Sequence, residues 1–257
     1  MNILLSGALG SMSRVTHQVA EQNGLVILAG VDKQSSDALP FPVFDDFKDC
    51  PDPDAIIDFS HPSVLPRLLE YAIQNHIPTV IGTTGMAEAE YKMIDEAAKK
   101  IPVFFTFNLS LGVNLLAALV RQATTILGEG YDIEIIEKHH NRKIDAPSGT
   151  AVMLANAIAQ SAQFAPEFVY DRHTIRKPRD PREVGISSVR GGTIVGDHDV
   201  IFSGLDEIIT ISHSARSRGV FATGAIRAVQ YISDKPPGLY DMTNLFQLSF
   251  DPYHPED

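Results

Sequence analysis

The feature that most constrains the fold of this chain is an alternation of apolar runs and helical stretches in its first half. Five short apolar runs occur, at 2–6, 25–31, 55–59, 79–82 and 102–107, with stretches of helical periodicity among them at about 12–22, 62–75 and 87–100. The runs lack the polar–apolar alternation of a half-exposed strand. Strands of this kind interleaved with helices predict an α/β fold, in which a parallel sheet is covered on both faces.

The second half has a different pattern. A strand is predicted at 131–138 and a helix at 150–162, and three strand-like runs then follow at 186–190, 193–202 and 207–213, before a last helix at 220–232. Consecutive strands separated by turns predict an α+β C-terminal domain with a mixed, mostly open sheet. We therefore predict two domains, one formed by residues 1–110 and 218–257 and the other by residues 111–217.

The loop after the first strand has the features of a dinucleotide-binding site. Gly7-Ala8-Leu9-Gly10-Ser11-Met12 follows a predicted strand and begins a helix. The glycines permit a tight turn and a close approach of pyrophosphate to the helix N-terminus. Such turns are common, but Asp32 ends the second strand, where a carboxylate usually binds the ribose hydroxyls. Together they predict a Rossmann-like, dinucleotide-binding N-terminal domain.

Three further segments bear on the cofactor. Lys33 can pair with the extra phosphate of NADP or be a solvated surface lysine, so we expect both NADH and NADPH to be accepted. Gly82-Thr83-Thr84-Gly85 and Asn108-Leu109-Ser110 each follow a predicted strand. They should lie at the carboxyl edge of the parallel sheet, where open α/β folds bind ligands. The first of them is also suited to capping a helix.

A compact basic segment stands out in an acidic chain. Lys plus Arg is 21 and Asp plus Glu is 32, for a net charge of −11, which argues against a nucleic-acid or anionic-membrane partner. Yet residues 138–143 hold three cations and two histidines. The following Ser148, Gly149 and Thr150 begin a helix, so we expect that the helix does not pair their N–H groups and that they can bind a carboxylate. This segment predicts a small dicarboxylate substrate and a histidine proton donor.

Residues 137–150 resemble the signature of a known family. The segment Glu137-x-His139-His140-x-x-Lys143-x-Asp145-Ala-Pro-Ser148-Gly149-Thr150 is similar to that of the dihydrodipicolinate reductases, also called 4-hydroxy-tetrahydrodipicolinate reductases. Further matches span nearly the whole chain, at residues 7–12, 57–60, 82–85, 108–114, 190–192 and 221–225. The resemblance implies an oxidoreductase of the diaminopimelate route to lysine. Hydride from NADH or NADPH would reduce a cyclic, unsaturated dicarboxylate, which is then protonated to tetrahydrodipicolinate.

The resemblance also implies roles for individual residues. His139 would be the proton donor, and Lys143 its catalytic partner or an alternative donor. The substrate carboxylates would be held by His140, Lys143, Ser148, Gly149 and Thr150. The cofactor would be bound by Gly7, Ala8, Leu9, Gly10, Ser11, Met12, Asp32, Lys33, Gly82, Thr83, Thr84, Thr106, Phe107, Asn108 and Leu109. Ser11 and Ser13 stand where the family often has Arg and a third Gly, which makes a preference for NADPH less secure. A homotetramer built through the strands of the second domain is expected.

Alternative chemistries receive less support from the residues. A thiol-dependent dehydrogenase would need Cys50 as its nucleophile, but Cys50 lies in the acidic turn Asp49-Cys50-Pro51-Asp52, which disfavours a thiolate. A zinc site on His139 and His140 is disfavoured because adjacent strand residues point to opposite faces, so we expect no metal.

Two further expectations concern His198 and the setting of the protein. His198, between Asp197 and Asp199, is expected in a hairpin turn. The chain shows neither an export signal nor an apolar run of about 20 residues, which predicts a cytoplasmic protein without a membrane partner. A non-catalytic NAD(P)-binding redox sensor remains the alternative function. It would keep the Gly7 loop and Asp32 without needing Lys143 or the segment 148–150.

Overall fold

The chain folds into two compact units. The computed structural model describes residues 1–246. One unit comprises Met1–Leu109 and the described residues from Phe221 onward, and the other comprises Ser110–Val220. The sequence placed these junctions at 110/111 and 217/218. The part of the predicted domain at 247–257 lies outside the described residues.

The first unit is built on a seven-stranded sheet in which every pairing is parallel, in the order β12-β6-β5-β4-β1-β2-β3. Its strands are β1 (Asn2–Ser6), β2 (Val26–Val31), β3 (Val43–Phe44), β4 (Ala55–Asp58), β5 (Thr79–Ile81), β6 (Pro102–Phe105) and β12 (Gly238–Tyr240). Its helices are α1 (Ser13–Gln22), α2 (Leu65–Gln74), α3 (Glu88–Ala98), α6 (Gly219–Ile232), which begins just before the junction, and α7 (Met242–Leu245). The order β3-β2-β1-β4-β5-β6 is that of a doubly wound dinucleotide-binding sheet, whose switch point lies between β1 and β4.

The core of this unit explains why its strands read as uninterrupted apolar runs. Every residue of β4 is buried, and so are Ile3 to Ser6 of β1. Helix α2 buries Leu65, Leu68 and Ala72, which recur at helical spacing, in the same apolar cluster as Ile56. A strand covered on both faces has no polar side to alternate with. The predicted parallel α/β architecture is therefore confirmed.

The second unit is built on a five-stranded mixed sheet in the order β11-β10-β7-β9-β8. Its elements are α4 (Leu111–Leu127), β7 (Asp132–His139), α5 (Gly149–Ser161), β8 (Glu167–Val169), β9 (Glu183–Arg190), β10 (Gly196–Ser203) and β11 (Ile208–Ala215). Strand β10 is antiparallel to β7 and β11, whereas β9 is parallel to β7 and β8. The predicted mixed sheet is confirmed. The three-residue β8 and most of α4 were not predicted.

One face of this sheet is covered by α4 and α5, and its side chains change from apolar to polar along the strands. Ile135, Ile186 and Val200 form a cross-strand row and lie in one apolar cluster with residues of both helices. Two residues further along β7, the inward positions are Glu137 and, opposite it on β10, His198. A polar pocket thus begins where the apolar core ends, near the carboxyl end of β7.

Helix α4 is unusually long and apolar. Residues Leu111–Gly130 are long and apolar enough to cross a membrane, the only such helix among the described residues. Length and composition are weak grounds for a span. In this structure Leu116, Ala117 and Val120 of the helix lie in the core of the second unit.

Candidate active site

The turn after β1 requires a glycine. Gly7 has φ +78°, and a Cβ atom built there would lie 2.6 Å from the carbonyl oxygen of Phe59, which follows β4. The N–H groups of Gly7 and Ala8 both donate to the carbonyl of Val31, at 2.9 and 3.2 Å. The turn thus brings the backbones that follow β1, β2 and β4 together at the switch point of the sheet.

Asp32 is held at the same place. Its Oδ2 accepts from the N–H of Leu9 and its Oδ1 from the N–H of Lys33, both at 2.8 Å. Each carboxylate oxygen can accept a second hydrogen bond, for example from a ribose hydroxyl. The N–H groups of Ser11 and Met12 lie immediately before α1, where the intrahelical ladder does not use them. These donors and acceptors fit a dinucleotide.

The loops after β4 and β5 are joined by a buried carboxylate that we did not single out from the sequence. Asp58 accepts from Ser60 Oγ at 2.5 Å, from Ser60 N at 3.2 Å and from Thr83 Oγ1 at 2.7 Å. Burial raises the pKa of Asp58, and the hydrogen bonds from Ser60, Thr83 and Ser6 oppose that rise. Asp58 thereby fixes Thr83, one of the predicted cofactor-binding residues, to the end of β4. Thr106 Oγ1 similarly bonds the backbone of Asn108, at 3.1 Å to its carbonyl.

His139, the predicted proton donor, is the last residue of β7 and is buried. Its Nδ1 lies 2.5 Å from Oε2 of Glu137, which is completely buried. Arg190 binds both oxygens of that carboxylate, with Nη1 2.8 Å from Oε2 and Nη2 2.7 Å from Oε1. Strand register puts Arg190 opposite His139 on the parallel neighbour β9. The result is a His–Glu–Arg cluster inside the second unit.

The cluster sets the charges of its members. Burial acts to raise the pKa of Glu137, but hydrogen bonds from Arg190, Ser188 and His139 outweigh it and lower this pKa to about 2. Burial lowers the pKa of His139, against the opposing effect of Glu137, and the cations Lys143 and Arg190 lower it further. Glu137 is therefore ionised at neutral pH, and the net effect on His139 favours its neutral form.

Ser148 and His198 complete the buried network. Ser148 caps α5 by accepting from the N–H of Ala151 at 3.1 Å, and its hydroxyl lies 3.0 Å from Nε2 of His198. The helix leaves the N–H of Ser148 unpaired, and this group donates instead to Glu137 Oε1 at 3.2 Å, a carboxylate of the protein itself. The cause is the return of the 140–148 loop over β7, which brings the helix start against the buried carboxylate.

The expected hairpin turn at His198 is wrong. His198 lies within β10, where inward and outward residues alternate, and it shares the inward parity of Val200. Its ring meets that of His139 edge-on, with centroids 5.2 Å apart. Burial, and secondarily the neighbouring His139, lowers the pKa of His198 to about 4. It is therefore neutral near pH 7 and unsuited to supply a proton there.

The remaining predicted substrate residues lie in the loop after β7 and at the start of α5. Lys143 Nζ pairs with Asp145 Oδ1 at 2.9 Å. The backbone of His140 bonds to Ile194 O at 2.7 Å, and its buried Nδ1 has no hydrogen-bond partner among the described residues. Apart from its chain neighbours and the backbone of the helix, no described residue has an atom within 4 Å of a Cβ built on Gly149, so space is open beside this N-terminus of α5. The loop thus offers a cation, an imidazole and a helix end.

The structure also describes the Cys50 thiol and the side chains of the types that bind metals. Burial, together with Asp49 and Asp46, raises the pKa of the Cys50 thiol to about 12, which leaves it without nucleophilic character at neutral pH. Within residues 1–246, no group of three or more His, Cys, Asp or Glu side chains is arranged to hold a metal ion.

The fold combines a dinucleotide-type sheet with a separate unit that bears a buried His–Glu–Arg cluster, an arrangement that fits an oxidoreductase. Comparison with known families specifies it. The family model "Dihydrodipicolinate reductase, N-terminus" matches residues 1–109, and "Dihydrodipicolinate reductase, C-terminus" matches residues 112–246. The chain belongs to the dihydrodipicolinate reductase family. The predicted family, and the prediction of a reductase of lysine biosynthesis, are confirmed, and the redox-sensor alternative is set aside.

Individual relatives agree with this assignment. A 4-hydroxy-tetrahydrodipicolinate reductase from Caldanaerobacter subterraneus subsp. tengcongensis is 49% identical over 95% of this chain and 98% of its own. One from Staphylococcus carnosus is 42% identical over 95% and 99%. Among solved structures, the dipicolinate-bound dihydrodipicolinate reductase of Paenisporosarcina sp. TG-14 aligns with a TM-score of 0.78 and 23% identity, over 96% of this chain and 99% of that one. At that identity the likeness shows the shared fold.

Four residues of these clusters carried no role in the sequence analysis: Asp58, Glu137, Arg190 and His198. Asp58, Glu137 and Arg190 lie inside segments that match the family, but a linear motif does not show which strands are neighbours in a sheet. For His198 a signal was present. The alternation from Gly196 to Ser203 places it on the same face as Val200 and Phe202, and that parity indicates burial.

Proposed function

We propose that this chain reduces 4-hydroxy-tetrahydrodipicolinate to tetrahydrodipicolinate with NADH or NADPH, that its first unit binds the dinucleotide, and that its second unit binds the dicarboxylate. The observation that carries the proposal is the buried His139–Glu137 pair beside an open helix N-terminus and a lysine. A proton donor next to groups for carboxylates is what protonation of a reduced dicarboxylate needs.

On the cofactor side, the bound nicotinamide supplies the hydride. The glycine turn and the first turn of α1 would receive the pyrophosphate, and Asp32 would accept from the ribose hydroxyls. Thr83, held by Asp58, and the segment 106–109 would complete the site together with the other cofactor residues named from the sequence. Since Asp32 favours NADH and Lys33 favours NADPH, we propose that kcat/KM for the two differs by no more than about tenfold, or about 1.4 kcal/mol.

On the substrate side, Lys143 would exchange its pairing with Asp145 for a substrate carboxylate. The N–H groups of Gly149 and Thr150 at the start of α5, with His140 and Ser148, would hold the carboxylates by hydrogen bonds. His139 would deliver the proton, with Lys143 as its catalytic partner.

We further propose a cytoplasmic homotetramer that pairs the outer faces of the mixed sheets. Support comes from exposed apolar side chains at the outward positions Val189 and Ile208 on β9 and β11.

A coupled assay tests the proposed function. The substrate is generated in place by a synthase from pyruvate and aspartate semialdehyde, and nicotinamide absorbance is followed with NADH and NADPH in parallel. We expect oxidation that depends on the synthase product. Oxidation of neither nucleotide, with both shown to bind, would refute the proposal.

His139→Gln provides the first variant for that assay. We expect kcat to fall by at least about a hundredfold, within the usual range for loss of a general acid. Nucleotide affinity should stay within twofold, because the proton is needed only after hydride transfer begins. Near-normal turnover in this variant would remove His139 from the proton-donor role.

A further inference from the structure

Glu137 is completely buried in the second unit, and each of its two carboxylate oxygens has defined partners. Its Oε1 accepts from Arg190 Nη2 and from the N–H of Ser148, and its Oε2 accepts from Arg190 Nη1 and lies beside His139 Nδ1. Three donors to a fully buried carboxylate stabilise its ionised form. An ionised carboxylate can only accept, so the ring nitrogen facing it carries hydrogen.

The other ring nitrogen of His139, Nε2, lies on the side of the imidazole away from Glu137. A Cβ built on Gly196 of β10 would lie 3.0 Å from Nε2 of His139, so the glycine allows the strand backbone to approach this side of the ring without a side chain crowding Nε2. Arg190 keeps Glu137 charged and donates a further bond, from Nη2 to the carbonyl of Asp145 at 2.7 Å. Arg190 therefore links the carboxylate to the loop that bears Lys143.

We propose that Glu137 and Arg190 are positioning residues that fix a proton on Nδ1 of His139 and so reserve Nε2 for proton transfer to the substrate. This proposal rests on the proposed function of His139 as proton donor. The imidazolium is the donor form. Transfer breaks the Nε2–H bond, forms a C–H bond at the substrate carbon, and leaves the electron pair on Nε2. The neutral ring then keeps its Nδ1–H on Glu137, and the hydride comes from the nicotinamide.

Glu137 also affects how much of His139 is in the imidazolium form, which is the proton donor. Burial lowers the pKa of His139, and the negative charge of Glu137 opposes this. The titratable and charged groups around the imidazole are Glu137 on its own strand, Arg190 on β9, His198 on β10, and Lys143 with its partner Asp145 in the following loop. Glu137 is thus the carboxylate in contact with the ring, and removing its charge should make the imidazolium harder to form.

Nitrogen-15 NMR of the ligand-free wild-type enzyme tests the assignment directly. The His139 signals are identified by their loss in His139→Gln. Above the pKa of the ring, we expect the neutral imidazole to be protonated on Nδ1. A neutral ring protonated on Nε2 would overturn the proposal. This outcome does not depend on turnover, so it is separable from the proposed function, which fails instead if the wild-type enzyme oxidises neither nucleotide.

The pH dependence of kcat in Glu137→Gln distinguishes positioning from a structural role. We expect kcat at pH 7.5 to fall at least tenfold, KM for NADH to stay within twofold, and the basic limb of the profile to move about one pH unit lower, the smallest shift usual for losing an adjacent opposite charge. Glu137→Asp, which keeps the charge, should return the limb toward the wild-type position.

Glu134→Gln is the matched control, since Glu134 is on the same strand, faces the other side of the sheet and also pairs with an arginine, Arg179. Its pH profile should match that of the wild type. An unshifted basic limb in Glu137→Gln would overturn the proposal. If Glu137→Gln fails to fold, the tautomer of His139 in the wild type and the pH profile of Glu137→Asp test the proposal. It fails if the neutral ring is protonated on Nε2, or if the basic limb of Glu137→Asp does not lie near that of the wild type.

Discussion

The buried His198 should make the stability of the protein fall steeply in weak acid. Its pKa is lowered from 6.5 to about 4 in the folded state, chiefly by burial. Between these values the unfolded chain binds the proton and the folded chain does not, so the free energy of unfolding decreases as the pH falls from about 6.5 to about 4. The shift of about 2.5 units corresponds to a loss of about 3 kcal/mol. Above pH 6.5 this contribution is fully present.

His198→Gln removes the titrating group and keeps an amide that can reach Ser148 Oγ. Between pH 7 and pH 4, we expect the free energy of unfolding of the variant to fall by about 3 kcal/mol less than that of the wild type. The slopes of the two free energies against pH should differ by at most about 1.4 kcal/mol per pH unit. The assay is urea unfolding followed by circular dichroism at several pH values. Protein concentration is held fixed, because assembly would otherwise shift apparent stability.

Ser148→Ala is the control for that experiment. It removes the hydroxyl that bonds His198 and caps α5, at a cost of about 1 kcal/mol. It leaves in place the burial of the imidazole, which is the main cause of the lowered pKa of His198, so most of the wild-type pH dependence of stability should remain. Parallel stability curves for the wild type and His198→Gln would refute the reasoning, because they would show that His198 does not titrate between these pH values in a fold-dependent way.

Two glycine substitutions test the close approaches in the two units. Gly196→Ala places a methyl group 3.0 Å from Nε2 of His139, so the ring must shift by a few tenths of an ångström. We expect kcat to fall about tenfold with KM for NADH unchanged, and steady-state kinetics with an unaltered kcat would contradict this. Gly7→Ala forces a side chain into φ +78° and against the carbonyl of Phe59. Fluorescence titration should show at least tenfold weaker NADH binding, and an unchanged Kd would count against the turn geometry.

The first unit was largely predictable because its determinants are local. Each long strand reads as an apolar run, and the glycine turn follows β1 directly. The strands that escaped prediction, β3 and β12, have two and three residues. Segments so short carry no period, and they become strands only because the edges of an existing sheet offer hydrogen bonds. The role of Asp58 could not be predicted for a related reason, because its hydrogen-bond partner Thr83 lies in the loop after the neighbouring strand β5.

The chemistry of the second unit could be predicted only as far as the linear motif reaches. Residues 137–150 form one continuous segment, so a proton donor beside carboxylate-binding groups could be inferred from it. The state of that donor depends on strand register. Arg190 and His198 are 53 and 61 positions beyond Glu137 in the sequence, and they meet it because β9 and β10 flank β7 in a particular alignment.

A shift of one residue in either pairing would turn Arg190 or His198 to the outer face, because side chains alternate along a strand. Glu137 would then be a buried carboxylate without its cation, and His139 would lose the partner that orients it. The apolar rows at Ile135 and Val200 oppose such a shift, since it would expose them. The hydrophobic core two residues away therefore fixes which groups surround His139, and under the proposed mechanism core residues that contact no substrate would help to determine how the proton is delivered.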